Sequence, residues 1–338
     1  MSQRERPLVS LLLACHAQEQ VITEAVQGAL AQTYSPLQIL ISDDASTDAT
    51  FARAQQAVQS YRGPHQVILR RNPQNLGISA HFSLLAELAQ GELLVVAAGD
   101  DISEPQRCER LVAHWLRHDR KPELIASDLL DIDAEGQVQR QLTHTRLDDW
   151  TLSRWLQQRP WLVGASHAWS KRLFARFGPM RAGANAEDQI MLLRALLLGG
   201  ASTLAEPLVR WRRGGLSAKR RAPNLAALRL QMAKGNRTTL AALDQHLADA
   251  QSAGRADEVA AALADSLARA RFTAAMLESG QRRSAWPRFL QATDVPLDYR
   301  LRLLGYTTLP WLIDPLIRAK ARLRIARHGD GAGRPLQE

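Results

Sequence analysis

The chain has 338 residues, is 46% hydrophobic and carries a formal net charge of +9. That length suits one large domain or a core with an appendage, and no run reaches the roughly 20 apolar residues a membrane span requires. Met1 to Arg6 lacks the apolar stretch of a signal peptide, and the two cysteines, Cys15 and Cys108, exclude a disulfide framework, so a reducing, cytoplasmic setting is expected.

The first hundred residues alternate strand and helix signals. Leu8 to Ala14 reads as a strand, Glu19 to Ala31 as a helix, and Leu37 to Ser42 as a second strand. Asp48 is placed to cap a helix that runs to Ser60. Val67 to Leu69 is a third strand, Ser79 to Ala89 a helix, and Leu93 to Ala97 a fourth strand. Short apolar runs separated by helices of about ten residues predict βαβ units and a mostly parallel sheet.

After Asp101 the rhythm changes. A helix is expected from Glu104-Pro105 toward His118, a short strand at Glu123 to Ser127, and a turn at Asp133-Ala134-Glu135-Gly136. Leu162 to Trp169 is a mixed apolar segment, Glu187 to Leu198 is strongly helical, and Leu204 to Trp211 is strand-like. From Asn224 onward leucines recur at helical spacing, as in Leu240, Leu243 and Leu247. A boundary is expected near residue 222, where Lys219-Arg220-Arg221 meets Pro223. A helical appendage is expected over 223–328 and a disordered tail over 329–338.

Two strands end in acidic clusters. Ile39-Leu40-Ile41-Ser42 leads into Asp43-Asp44, and Leu93 to Ala98 leads through Gly99 into Asp100-Asp101. Carboxylates at the carboxyl ends of parallel strands face the crevice where open α/β sheets bind ligands. Paired carboxylates repel and need a cation or donors to stay ionised. A divalent metal and a nucleotide would meet that need together. The cluster could also be a solvated turn before a helix, with Glu104 as a first-turn charge. Asp43 could likewise serve only a turn.

These motifs resemble the N-terminal part of the family 2 glycosyltransferases, which have the GT-A fold. The resemblance rests on Ala14-Cys15-His16, Gln32-Thr33-Tyr34, Asp43 to Asp48, Asn75-Leu76-Gly77, Gly91-Glu92 and Glu187-Asp188, with Arg212, Gly214, Gly215 and Ser217 downstream. It covers about residues 7 to 217 and implies an α/β GT-A (nucleotide-diphospho-sugar transferase) fold with a helical C-terminal appendage. It divides the core into a nucleotide-binding half, 1–101, and an acceptor-binding half, 102–222. Asp43 would meet the nucleotide base, and Ala14, His16 and Glu19 would flank the nucleotide, the first and second through backbone. Asp100 would face ribose or metal, and Asp101 would ligate Mg²⁺ or Mn²⁺. Two departures stand out. Ala98 replaces the first carboxylate common at the metal strand, and Arg212-Arg213 stand near a common His, where they would supply charge to the diphosphate.

The resemblance gives Asp188 the sharpest role, as the base that takes the acceptor hydroxyl's proton in an inverting transfer. A helix-start role, through the helix dipole, would equally welcome Glu187 and Asp188. Trp161, His167 and Trp169 either line an acceptor groove or pack in the core.

The implied function is inverting transfer from a nucleotide-sugar to a saccharide or lipid-linked saccharide, in cell-surface polysaccharide or glycolipid synthesis. The alternative is a catalytically decayed GT-A scaffold that binds nucleotide without transfer. Other classes stay open, but a dinucleotide-dependent oxidoreductase is expected to show Gly-x-Gly-x-x-Gly after the first strand and a nucleotidylyltransferase a Gly-rich, Arg-bearing loop there, and Cys15 to Glu19 has no glycine. No nucleic-acid partner is expected, because the basic residues come without interleaved aromatics or a binding motif. Arg318, Lys320, Arg322 and Arg324 fall at every second residue, a spacing that spreads charge around a helix. Tyr299 to Ile317, with Trp311, is nevertheless apolar enough to lie against a bilayer, at the inner face of the membrane, or against another protein.

Overall fold

The computed structural model describes residues 6–213, 222–278 and 285–328. The expected tail at 329–338, and Gly214, Gly215 and Ser217, lie outside the described residues. The chain divides into two compact units. One is Met1–Arg213 with Gln245–Ala256, and the other is Gly214–Asp244 with Asp257–Glu338.

The first unit opens with β1 (Val9–Cys15), α1 (Ile22–Leu30), β2 (Leu37–Asp43), α2 (Thr50–Gln59), β3 (Gln66–Arg71), α3 (Ile78–Leu88) and β4 (Leu93–Ala98). Every residue of β1 and β2 is buried, as befits strands covered on both faces. Strand β1 runs parallel to both β2 and β4, with Val9 opposite Leu37 on one side and Leu93 on the other. Alternate side chains of these strands, Leu11, Leu13, Ile39, Ile41 and Val95, join Ile22 and Val26 of α1 in one core. The chain winds outward from β1 to β3, then returns to the other side of β1 as β4. That reversal opens a crevice at the carboxyl ends of β1 and β4.

There follow β5 (Ile102–Ser103), α4 (Arg107–Arg117), β6 (Leu124–Ile132), β7 (Val138–Leu142), α5 (Leu152–Gln157), a 3-10 turn (Gly164–Ser166), β8 (His167–Ser170), α6 (Lys171–Phe177), α7 (Glu187–Leu198) and β9 (Ala201–Arg212). Among the described residues nine strands form one sheet in the order β3-β2-β1-β4-β8-β6-β9-β5, with β7 paired to β6. Strand β8 is antiparallel to both its neighbours, whereas β6 and β9 are parallel. The sheet is therefore mixed but mostly parallel at its core.

Helix α1 starts at Ile22, later than the sequence pattern predicts. Ala17 takes a positive φ of 52°, and Gln18 to Val21 form a turn. The Glu19 side chain instead accepts the Ala49 N–H at 2.9 Å, just ahead of α2.

Helix α8 (Leu225–Ser252) begins in the second unit and ends in the first. Its last turns belong with the first unit for a visible reason. Arg194 on α7 is fully buried and forks onto Asp249, with Nε–Oδ2 at 2.8 Å and Nη2–Oδ1 at 3.1 Å. Gln245 adds a bond to Asp249 at 2.8 Å and accepts the Arg181 N–H at 2.8 Å. His246 meets the Trp155 ring edge-on.

The second unit is helical: α9 (Ala256–Glu278), α10 (Ala285–Gln291), α11 (Leu297–Thr308) and α12 (Pro310–His328). Phe272, Met276, Phe289, Val295, Leu303 and Leu304 form its core. Asp314 accepts the Leu225 N–H at 2.8 Å.

Candidate active site

The crevice walls begin with the loops after β1 and β2. Ala17 and Ala45 both hold positive φ, 52° and 57°. A non-glycine residue there costs of order 1–3 kcal/mol and persists only where surroundings enforce it. Here they do. The Ala17 N–H donates to Ser46 Oγ at 2.9 Å, and the Gln18 N–H to Thr50 Oγ1 at 2.8 Å. Asp48 bonds Thr50 through both its N–H and its hydroxyl. The two loops form one stitched wall.

Asp43 and Asp44 do different work in that wall. Asp43 is fully buried, accepts the Ser46 N–H and hydroxyl, and pairs with Arg71 at 3.1 Å. Its two oxygens offer about four acceptor sites, so these three donors do not fill the carboxylate. Asp44 accepts from Asn72 Nδ2 at 2.7 Å and from the Leu76 and Gly77 N–H groups at 2.9 Å. It thereby fixes the Asn75-Leu76-Gly77 turn. His16 is half-buried beside it, its Nδ1 2.9 Å from the Asp44 carbonyl, with Asn75 within reach. The Ala14 carbonyl accepts the Gly99 N–H at 2.9 Å, so that backbone acceptor is engaged by the opposite loop.

Gly99 lets the β4 loop pass against β1. A Cβ there would lie 2.5 Å from the Cys15 Cβ. Asp100 and Asp101 follow at once. Burial raises the proton affinity of both, and Asp100 raises that of Asp101 further. Arg107 and Arg212 pull Asp101 back only in part. Asp101 Oδ1 accepts the Arg212 N–H at 2.9 Å.

The two arginines stand differently from expectation. Arg212 is buried, and its guanidinium bonds Glu24 at 2.8 Å, the Asp133 carbonyl at 3.0 Å, the Ala134 carbonyl at 2.5 Å and the Asp100 carbonyl at 3.2 Å. Arg213 forks onto buried Asp131, with Nε–Oδ1 at 2.6 Å. In this geometry both guanidinium groups hold the protein to itself instead of facing a diphosphate.

Among the described residues no three His, Cys, Asp or Glu side chains converge as a ready-made metal cage. Asp100 and Asp101 are still a fitting donor set. They are oxygen ligands short of compensating charge, Asp101 buried and Asp100 half-buried, and Mg²⁺ commonly takes one or two carboxylates with phosphate oxygens.

A second acidic pair opens α7. Asp188 Oδ1 accepts the Gln189 N–H at 2.7 Å. Burial raises its proton affinity, and burial together with Asp188 pushes Glu187 up to about 7. Gly164 makes the room: a Cβ there would sit 2.8 Å from Glu187 Oε1. Gln189 ties the helix start to the preceding loop, donating to the Pro160 carbonyl at 3.2 Å and accepting from Trp155 Nε1 at 3.3 Å. Trp161, next along that loop, is 48% exposed and tilted against His144. His167 and Trp169 are fully buried and belong to the core.

One residue escaped the sequence reading. Arg107 is fully buried and donates to Ser103 Oγ at 2.9 Å, the Val96 carbonyl at 2.8 Å and the Ala165 carbonyl at 2.6 Å. It keys β4 and β5, which flank Asp100-Asp101, to the 3-10 turn facing Glu187. Only its place four residues before Leu111 on a helix was legible, and that predicts packing, not this bridging.

An α/β unit with this sheet order and an acid-lined crevice at the β1/β4 reversal has the GT-A fold of nucleotide-diphospho-sugar transferases. Residues 10–161 match the family model described as Glycosyl transferase family 2. EpsE of Bacillus subtilis (strain 168), named as a glycosyltransferase, is 29% identical over 130 residues, 38% of this chain and 46% of that protein. WcaA of Escherichia coli (strain K12), named for colanic acid biosynthesis, is 30% identical over 111 residues, 33% of this chain and 39% of that one. The matched stretches thus span less than half of these relatives. The crystal structure of S. aureus TarS 1-349 in complex with UDP-GlcNAc superposes with a TM-score of 0.53 at 16% identity, covering 94% of this chain and 92% of that one.

Proposed function

We propose that this chain is an inverting glycosyltransferase that moves a sugar from a nucleotide-sugar to an acceptor hydroxyl in cell-surface polysaccharide or glycolipid synthesis. One observation carries the reading. A single unit holds two carboxylate pairs of raised proton affinity, buried Asp101 with half-buried Asp100 after β4 and half-buried Glu187 with Asp188 at the start of α7. Such groups cluster where chemistry is done.

On the donor side, the stitched wall that includes Ala14, His16, Glu19 and Asp43 borders the nucleotide. Asp100 and Asp101 would hold Mg²⁺ or Mn²⁺, which would supply charge stabilisation to the departing diphosphate. Arg212 keeps the Asp101 loop docked, through its N–H to Asp101 and its guanidinium to the Asp100 carbonyl, and Arg213 is held on Asp131. TarS holding UDP-GlcNAc on this fold supports a nucleotide-sugar as donor class.

On the acceptor side, Asp188 takes the hydroxyl proton. The freed oxygen bonds to the anomeric carbon as that carbon's bond to the diphosphate breaks, so its configuration inverts. A carboxylate with raised proton affinity is a better base than a surface aspartate. Glu187, with its value near 7, carries a proton for much of the time at neutral pH, which limits repulsion within the pair. The acceptor is a saccharide or lipid-linked saccharide, reached from the cytoplasm at the inner face of the membrane. WcaA's naming supports the polysaccharide setting.

The test is calorimetric titration of nucleotide-sugars with and without Mn²⁺, paired with an assay of slow donor hydrolysis. The expected result is metal-dependent binding of one donor class and hydrolysis of the same donor. Binding without turnover on any donor and acceptor tried would favour the decayed scaffold.

A further inference from the structure

Among the described residues, fourteen large apolar side chains are exposed, and eight of them fall between Trp286 and Leu316 in the second unit. They recur one helical turn apart: Trp286 and Leu290 on α10, Leu297 and Leu301 on α11, Leu312 and Leu316 on α12.

Helix α12 organises this surface. At 100° per residue, exposed Trp311, Pro315, Ala319, Leu312 and Leu316 occupy one arc of roughly 140°. Ile313, Asp314, Ile317 and Ala321 are half-buried on the other side. Exposed Arg318 and Lys320 stand at the two edges of the arc, and Arg322 lies one turn beyond Arg318. The helix is apolar both where it packs and where it does not, so its residues give little amphipathic contrast. Charge is spread around the helix as every-second-residue spacing predicts: Arg318 and Lys320 project on opposite sides of the arc, and Arg322 projects inside it, at its C-terminal end.

We propose that this arc of α12 docks on an anionic phospholipid surface, lying in the headgroup plane. This deepens the peripheral location in the proposed function and rests on that part of it alone. Three observations favour a bilayer over a protein. First, Arg318 and Lys320 flank the arc and Arg322 closes its C-terminal end, an arrangement in which stems bury and charges reach headgroups. Lys320 and Arg322 have no carboxylate partner among the described residues, and Arg318 is paired with Asp314 at 2.5 Å. Second, charge is complementary. Residues 285–328 hold eight Lys and Arg against three Asp, a net +5 of the chain's +9. Third, Trp311, 67% exposed, sits at one end of the arc, and tryptophan favours the membrane interface. No described helix is long and apolar enough to cross a membrane, so the face lies on the bilayer.

The full chain would be sedimented with vesicles of phosphatidylcholine alone and with phosphatidylglycerol added. Binding is expected only to the anionic vesicles and is expected to weaken with salt. The double variant Leu312→Glu/Leu316→Glu should lose at least about tenfold in partitioning, and Lys320→Glu/Arg322→Glu should lose a comparable share. Both should keep the parent melting temperature. No binding to anionic vesicles, or equal binding by the leucine variant, would overturn the proposal. So would a dimer in light scattering that the leucine variant dissolves, since the face would then belong to a second copy. Donor hydrolysis without vesicles, measured on the same samples, separates this from the catalytic reading: vesicle binding with no hydrolysis counts only against the latter.

Discussion

Asp188 and Glu187 share one half-buried corner, and a change of charge at each should have a different result. Asp188→Asn keeps an acceptor for the Gln189 N–H but cannot take a proton. If Asp188 is the base, turnover should drop by roughly 10²–10⁴-fold with donor affinity unchanged. A purely structural residue would instead lose about 0.3–1 kcal/mol of dipole interaction and keep its turnover. Steady-state rates, donor titration and a melting curve on one variant decide between them. Asp101→Asn makes the matching test on the donor side. It still accepts the Arg212 N–H, so the loop should hold, while metal-dependent nucleotide binding should weaken by at least roughly the 10–100-fold that loss of an outer partner causes. Unchanged titration with Mn²⁺ would remove Asp101 from any metal site.

The start of α7 is where proton affinity and stability meet. Glu187 rises from an ordinary 4.5 to about 7, so the folded state binds its proton more tightly than the unfolded chain does. Stability from this group is complete below about pH 4.5 and is lost as pH climbs through 7. Glu187→Gln should therefore melt higher than the parent at pH 7.5 and lose that advantage toward pH 4.5. A gap in melting temperature that ignores pH would count against this reading. The Glu187-Asp188 motif was legible in the sequence, but the packing of Gly164 that raises the pair was not, since it joins residues distant along the chain. The same contrast holds elsewhere. The units from β1 to β4 were legible because each strand is a continuous apolar run. Strands β5 and β8 were not, being two and four residues long and defined only by their partners. The environment of Arg212 was hidden too, since its guanidinium reaches Glu24, 188 residues away.

At the scale of the whole molecule, the boundary expected near residue 222 meets a chain that returns. Gln245–Ala256 belongs with the first unit, anchored by the Arg194–Asp249 pair, whose side chains are 0% and 4% exposed. Removing one partner of a buried pair leaves an uncompensated charge, worth about 3–5 kcal/mol. Asp249→Ala should show that loss in chemical denaturation. Truncation after residue 222 removes Asp249, Gln245 and His246 together, and should leave a core less stable than Asp249→Ala. A truncated core as stable as the full chain would show that Arg194 finds solvent or another partner.

The same returning segment sets a clock on the ribosome. Arg194 precedes Asp249 by 55 residues, and at about 5–20 residues per second the guanidinium waits about 3–11 s for its partner to be synthesised. Once Arg212 has been made every strand of the sheet is synthesised, yet buried Arg194 still has no counterion. Slow translation across α8 would lengthen the exposure, and synonymous codons there become a variable in how much of this protein matures.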